Sequence, residues 1–139
     1  MTAFDTILQN SAKAVGLTSY IIEDIPDRNA KSNINYKFPA IWRNFNEPFQ
    51  PLFDNNRMYE REMSLYFVHV GFDKFSKEMI NEHFQDLMYK YEEFKDLMQR
   101  AGIMLTFTQK PFLNWKQTNY NDFGIVFNLT ASYSKCLEI

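Results

Sequence analysis

Residues 123–134, "FGIVFNLTASYS", decide how this chain is read. The odd positions are Phe123, Ile125, Phe127, Leu129, Ala131 and Tyr133, and the even ones Gly124, Val126, Asn128, Thr130, Ser132 and Ser134. Side chains of a strand alternate between faces. The pattern therefore predicts one long strand, apolar on one side and small and mostly polar on the other. The stretch begins inside Asp122-Phe123-Gly124, which spells the metal-binding triplet of protein kinases. A kinase also needs a Gly-rich loop, a lysine strand and a catalytic loop upstream, and this chain of 139 residues has none of them. The triplet is coincidence.

Working backwards, "IMLTFTQ" (103–109) puts Ile103, Leu105 and Phe107 on one face of another strand. "KPFLNWKQTNYND" (110–122) reads as a polar, aromatic-dotted connection between the two. Before them, Ile80, Phe84, Leu87, Tyr91, Phe94, Met98 and Ala101 recur at alternating spacings of four and three, widened by Met88 and Leu97. That stripe predicts a helix over 75–101, about 40 Å long, capped by Asp73 or Ser76 and ended by Gly102. "MYEREMSLYFVHVGF" (58–72) predicts a long strand. Its first half, with Glu60, Arg61 and Glu62, is solvent-exposed or aimed at a partner, and its apolar second half is central.

The N-terminal third is less regular. Phe4, Ile7, Leu8, Ser11, Ala12 and Val15 lie at helical spacing between a Thr2 cap and Gly16. "LTSYIIEDIP" adds a brief strand or turn, and 27–33 is a polar loop. "INYKFPAIW" (34–42) is a strand with Ile34, Tyr36, Phe38, Ala40 and Trp42 on one face, and Pro39 argues for an edge or a bulge. Residues 43–56, with two prolines and several asparagines, read as a long loop. The order is α-β-β-α-β-β. The expected fold is α+β: an antiparallel sheet of about four strands, one long helix packed across it and a short N-terminal helix, in a single domain over 1–139.

Composition narrows the function. At 45% hydrophobic and 17% aromatic the chain is globular, and its fourteen Phe and eight Tyr suggest contacts between subunits. Charge is even: 7 Lys/Arg against 8 Asp/Glu in 1–70, and 8 against 9 in 71–139. No basic block supports binding to nucleic acid or anionic membrane. The lone Cys136 excludes an internal disulfide or a Cys-based zinc site. "MTAFDTILQN" lacks the basic start and apolar run of a signal peptide, and no stretch is long enough to span a bilayer.

Chemistry is sparse. His69 and His83 lack metal or triad spacing and read as structural. Glu78, Glu82 and Asp86, followed by Lys90, form an i, i+4 row that reads as a solvated helix face. The four glycines are too scattered to cradle a phosphate, and no Ser sits in a nucleophile elbow. The expectation is a protein that is not an enzyme and holds no cofactor or metal.

The helix "FDTILQNSAKAV", the strand "MYEREMSLYFVHV", the crossing helix 75–101 and the closing strand "GIVFNLTASYSK" together resemble the tail terminator (tail-completion) and related neck proteins of long-tailed bacteriophages. The resemblance covers nearly the whole chain, is one of architecture, and departs from the family's pattern in the Pro/Phe loop 43–56. It implies a virion protein assembled in the host cytoplasm. That protein would be a homohexameric ring capping the tail tube and joining it to the head–tail connector, with DNA passing through unbound. Phe45, Phe49, Phe53, Tyr59, Arg61, Trp115 and Tyr120 are the candidates for interface contacts. Two other classes stay open. One is a ligand-binding or enzymatic α+β domain with a pocket between helix and sheet. The other is an accessory protein of a bacterial injection system or a toxin–immunity pair.

Overall fold

The computed structural model describes residues 2–22, 39–43, 49–51, 58–69, 76–115 and 123–138. Two long strands, β4 (Met58–His69) and β7 (Phe123–Ser134), pair antiparallel over their whole length, from Met58 opposite Ser134 to His69 opposite Phe123. Shorter strands flank this ribbon at two levels. Beside the His69 end lie β2 (Ala40–Arg43) on β4 and β6 (Phe112–Trp115) on β7, with β1 (Ser19–Ile22) parallel to β2. Beside the Met58 end lie β3 (Phe49–Pro51) on β4 and β5 (Met104–Phe107) on β7. Helices α1 (Ala3–Ala14) and α2 (Lys77–Arg100) contribute to the core on one face, and a short 3-10 turn, Lys135–Glu138, closes the described chain.

The fold is α+β with the long helix across an antiparallel sheet. Of its four principal strands, β4, β5 and β7 fall inside the stretches the sequence predicts; β2 takes the end of the expected strand 34–42 and adds Arg43 from the expected loop, while 34–38 lie outside the described residues. Three short strands add to it. β3 lies inside the stretch expected to be loop, and β6 inside the expected connection, because backbone pairing to a long neighbour overrides their Pro and Asn content. β2 is not an edge strand: it sits between β1 and β4, with Pro39 just before its first residue, where no ladder donor is lost. In the first half of β4 the backbone is paired on both sides over Tyr59–Arg61, by β3 and by β7.

The alternation read in 123–134 is reproduced as burial from Phe127 onward, whereas over 123–127 both faces are buried, Gly124 and Val126 included. Phe123, Phe127, Leu129, Ala131 and Tyr133 are fully enclosed on the helix side, with Met63, Leu65 and Phe67 of β4 beside them. α2 supplies Ile80, Phe84, Leu87, Tyr91, Phe94 and Met98, while Ala101, the last member of the expected stripe, is exposed past the helix end. The contact is aromatic. Tyr91 stacks on Phe127 with centroids 4.0 Å apart, and Phe67 meets Phe94 and Phe127 edge-on at 5.6 and 4.9 Å. The space between helix and sheet, where one sequence reading put a ligand, is filled here by interlocking rings. On the opposite face Ala40, Trp42 and Val68 form a smaller buried cluster with Tyr66 against it.

Both helices begin and end on local chemistry. Thr2 and Ser76 accept the N–H groups of Asp5 and Met79 at the two N-termini. At the C-termini Gly16 and Gly102 both take φ of 92°, and the next residues, Leu17 and Ile103, donate back to Ala12 and Met98 at 2.9 Å. This is the Schellman arrangement. It delivers an apolar residue into the core immediately after each helix, since Leu17 and Ile103 are both buried.

Two glycines separate backbone strain from lack of space. At Gly102 an added Cβ would meet nothing within 4 Å, so Gly102→Ala carries only the left-handed penalty, about 1 kcal/mol. At Gly124 the same atom would lie 1.9 Å from the Phe67 carbonyl oxygen, inside the β4–β7 ladder. Gly124→Ala is expected to cost about 3 kcal/mol or more in urea unfolding. Tyr91→Phe should go the other way. The Tyr91 hydroxyl is buried without a hydrogen-bond partner among the described residues, and burial pushes its pKa above the ordinary phenol value. Its removal is expected to raise stability by about 1 kcal/mol, and a fall in melting temperature would contradict this.

Candidate functional site

The most organised polar constellation lies where α1 crosses the Met58 end of the sheet. Parity along β2 and β4 points Arg43 and Arg61 to the helix side, where both guanidinium groups flank the Phe4 ring at 5.6 and 5.1 Å. The ring also stacks on Tyr133 at 4.4 Å, and Tyr59 meets Tyr133 edge-on at 6.3 Å. Arg43 is 3% exposed and donates to the Asp5 carboxylate, which also accepts the Thr2 hydroxyl at 3.0 Å. Burial works to raise the Asp5 pKa. The charge and hydrogen bond of Arg43, the Thr2 hydroxyl and the charge of Arg61 outweigh it and hold Asp5 below the usual carboxylate range. The arrangement clamps α1 to β2 and β4.

A second cluster sits at the other end of the ribbon. His69, the last residue of β4, and His83 of α2 bring their rings to 4.3 Å, and both lie against Phe123, at 5.7 and 6.0 Å. No local pattern signals this meeting, because the two histidines sit on different elements fourteen residues apart. Both are half-buried. Among the described residues no group of three or more His, Cys, Asp or Glu could hold a metal ion.

The third feature is a surface. On the sheet face away from α1 and α2, β7 presents Asn128, Thr130, Ser132 and Ser134, all half-exposed, opposite Ser64, Glu62, Glu60 and Met58 of β4. Ser64 donates to Asn128 across the strands. Thr106 of β5 extends this polar field beyond Thr130. The expected i, i+4 row on α2 is solvated: Glu78, Glu82 and Asp86 are exposed, and Lys90 reaches Asp86 at 3.2 Å.

The interface candidates scatter across the fold. Tyr59 and Arg61 turn toward the helix side and are half-buried around Phe4 and Tyr133. Phe49 stands in β3 opposite Arg61, and Trp115 in β6 opposite Phe123. Phe45, Phe53 and Tyr120 lie outside the described residues. The structure brings together only the members near Arg61. Cys136 is exposed on the final turn. No helix among the described residues is long and apolar enough to cross a membrane. Neither a protein-family profile nor a curated protein matches this chain.

The clamp gives a pH dependence of known sign. A carboxylate held below its unfolded pKa contributes stability above that pKa and loses it as pH falls through the folded value. Asp5→Asn, which removes the carboxylate charge beside the buried Arg43 guanidinium, is expected to cost about 2 kcal/mol at neutral pH. The difference from wild type should begin to shrink below pH about 4, where the carboxyl protonates in the unfolded chain, and go on shrinking until the folded carboxyl protonates at lower pH. Urea titrations at pH 7 and pH 3 measure both, and an equal deficit at the two pH values would contradict the assignment.

Proposed function

We propose that the chain is a structural subunit of a phage tail: a terminator or neck protein forming a homohexameric ring between tail tube and head–tail connector. One observation carries this reading. The sheet is covered by helices on one face, and its opposite face near β5 and β7 is a field of Ser, Thr and Asn with two Glu, edged by Met58 and Met104. Short, uncharged hydroxyl and amide side chains suit either a wetted wall past which DNA slides or a face packed closely on a neighbour. Neither use needs a catalytic group. A lumen of this kind carries no basic stripe and so does not retain DNA, consistent with the even charge along the sequence.

On this reading the partners are other copies of the chain, the tail tube and the connector, and the protein resides in the virion. Negative-stain electron microscopy of the purified chain, alone and mixed with tail tubes, tests it. The expected result is a sixfold ring, free or at one end of the tube. A chain that leaves tubes undecorated, or that purifies with a bound small molecule in stoichiometric amount, overturns it.

A further inference from the structure

β5 is the last strand on its side of the sheet, and among the described residues it pairs with β7 alone. The Thr108 N–H donates to the Asn128 carbonyl at 3.0 Å, one step beyond the Phe107–Leu129 pair. Even residues of β5 therefore direct their backbone groups toward β7, and Leu105 and Phe107 direct theirs away from it. Such an edge is a template for another strand, and proteins usually blunt it with charge, proline or a bulge. "MLTF" carries none of these; Lys110 and Pro111 come only after it. It is also greasy. Of the four large hydrophobics exposed among the described residues, two are in this strand: Met104 at 55% and Phe107 at 41%.

We propose that two copies of this chain join edge to edge through β5, about a two-fold axis at Thr106, giving one continuous sheet with both α2 helices on the same face. Residues opposite one another in an antiparallel pair share a face, which limits the register. Setting Leu105 against Phe107 of the second copy engages the outward backbone groups of both residues in both copies, and sets Thr106 against its own counterpart on the polar face. Phe107 is then covered on the helix face, where it already stacks on Tyr91 at 5.4 Å beneath Lys95 at 5.9 Å. Met104 is covered on the other face.

Charge chooses a second copy over an unrelated strand. Lys95 lies on the β5 flank of α2 with Glu92 one turn before it, both exposed. A two-fold axis between antiparallel helices sets Lys95 of each copy toward Glu92 of the other, so the flank is complementary to itself. The contact is isologous, unlike the head-to-tail contacts that close a ring, and it does not depend on the ring reading.

Sedimentation velocity of the full-length chain across the micromolar range tests the pairing, with a dimer expected. Met104→Lys combined with Phe107→Lys, both at exposed positions, should raise the dissociation constant roughly a hundredfold in a chain that still unfolds cooperatively. Glu92→Lys and Lys95→Glu should each weaken the dimer roughly fivefold, and together restore it. A monomer throughout the range overturns the pairing, as does a dimer indifferent to these changes. A sixfold ring that survives the Met104 and Phe107 changes, without any β5-dependent dimer, overturns the pairing and leaves the ring reading standing. A β5-dependent dimer that never decorates tubes does the reverse.

Discussion

The antiparallel ladder between β4 and β7 is the constraint on which the rest of the molecule depends. It joins residues 58–69 to residues 123–134, and among the described residues every other strand except β1 attaches directly to one of these two. Register admits no slack, because a slip by one residue would carry Phe123, Phe127 and Leu129 to the polar face and Asn128 and Thr130 into the core. Gly124 adds a steric reason, since only a residue without Cβ fits where the Phe67 carbonyl comes so close.

The helices read this ladder rather than define it. α2 meets β4 and β7 through rings that interlock edge-on and stacked, so its position is specified by shape as well as by apolar area. α1 is held differently. Its Phe4 enters the same core, but its angle is set by Asp5 and Arg43 and by the two guanidinium groups close to the Phe4 ring. A buried ion pair of this kind is costly to break and gives little net stability while intact, which suits a part that fixes geometry. Part of the aromatic content serves the interior: Phe4, Phe67, Phe84, Phe94, Phe123, Phe127, Tyr91, Tyr133 and Trp42 are all buried, while Tyr89 and Phe107 are exposed.

What could be read in advance follows from the range of each signal. Long periodic segments were legible because burial on one face imposes a period: β7 keeps it from Phe127 to Ser134 and the α2 stripe from Ile80 to Met98, and the caps at Thr2, Ser76, Gly16 and Gly102 are local chemistry. The short strands β3 and β6 were not legible. Three or four residues carry no measurable period, and what makes them strands is a neighbour distant in sequence. The site features failed for the same reason. Arg43 and Asp5 are thirty-eight residues apart, and nothing in either local segment announces the other. The polar face of β7 was visible, since it is the other half of the alternation that revealed the strand.

The glycine turn after α2 has a consequence for how the chain assembles. Gly102 reverses direction at once, so β5 returns along the helix it has just left, and Ile103 meets Met98 with almost no chain to close between them. The central ladder, by contrast, must draw together segments separated by fifty-four residues at its nearer end and seventy-six at its farther one. Closure entropy grows only logarithmically with such separations, yet all of it falls before the first distant contact gives any return. A helix that already carries its own adjoining strand offers β7 a preformed docking partner close at hand, which favours the C-terminal half as the seed onto which β4 later zips.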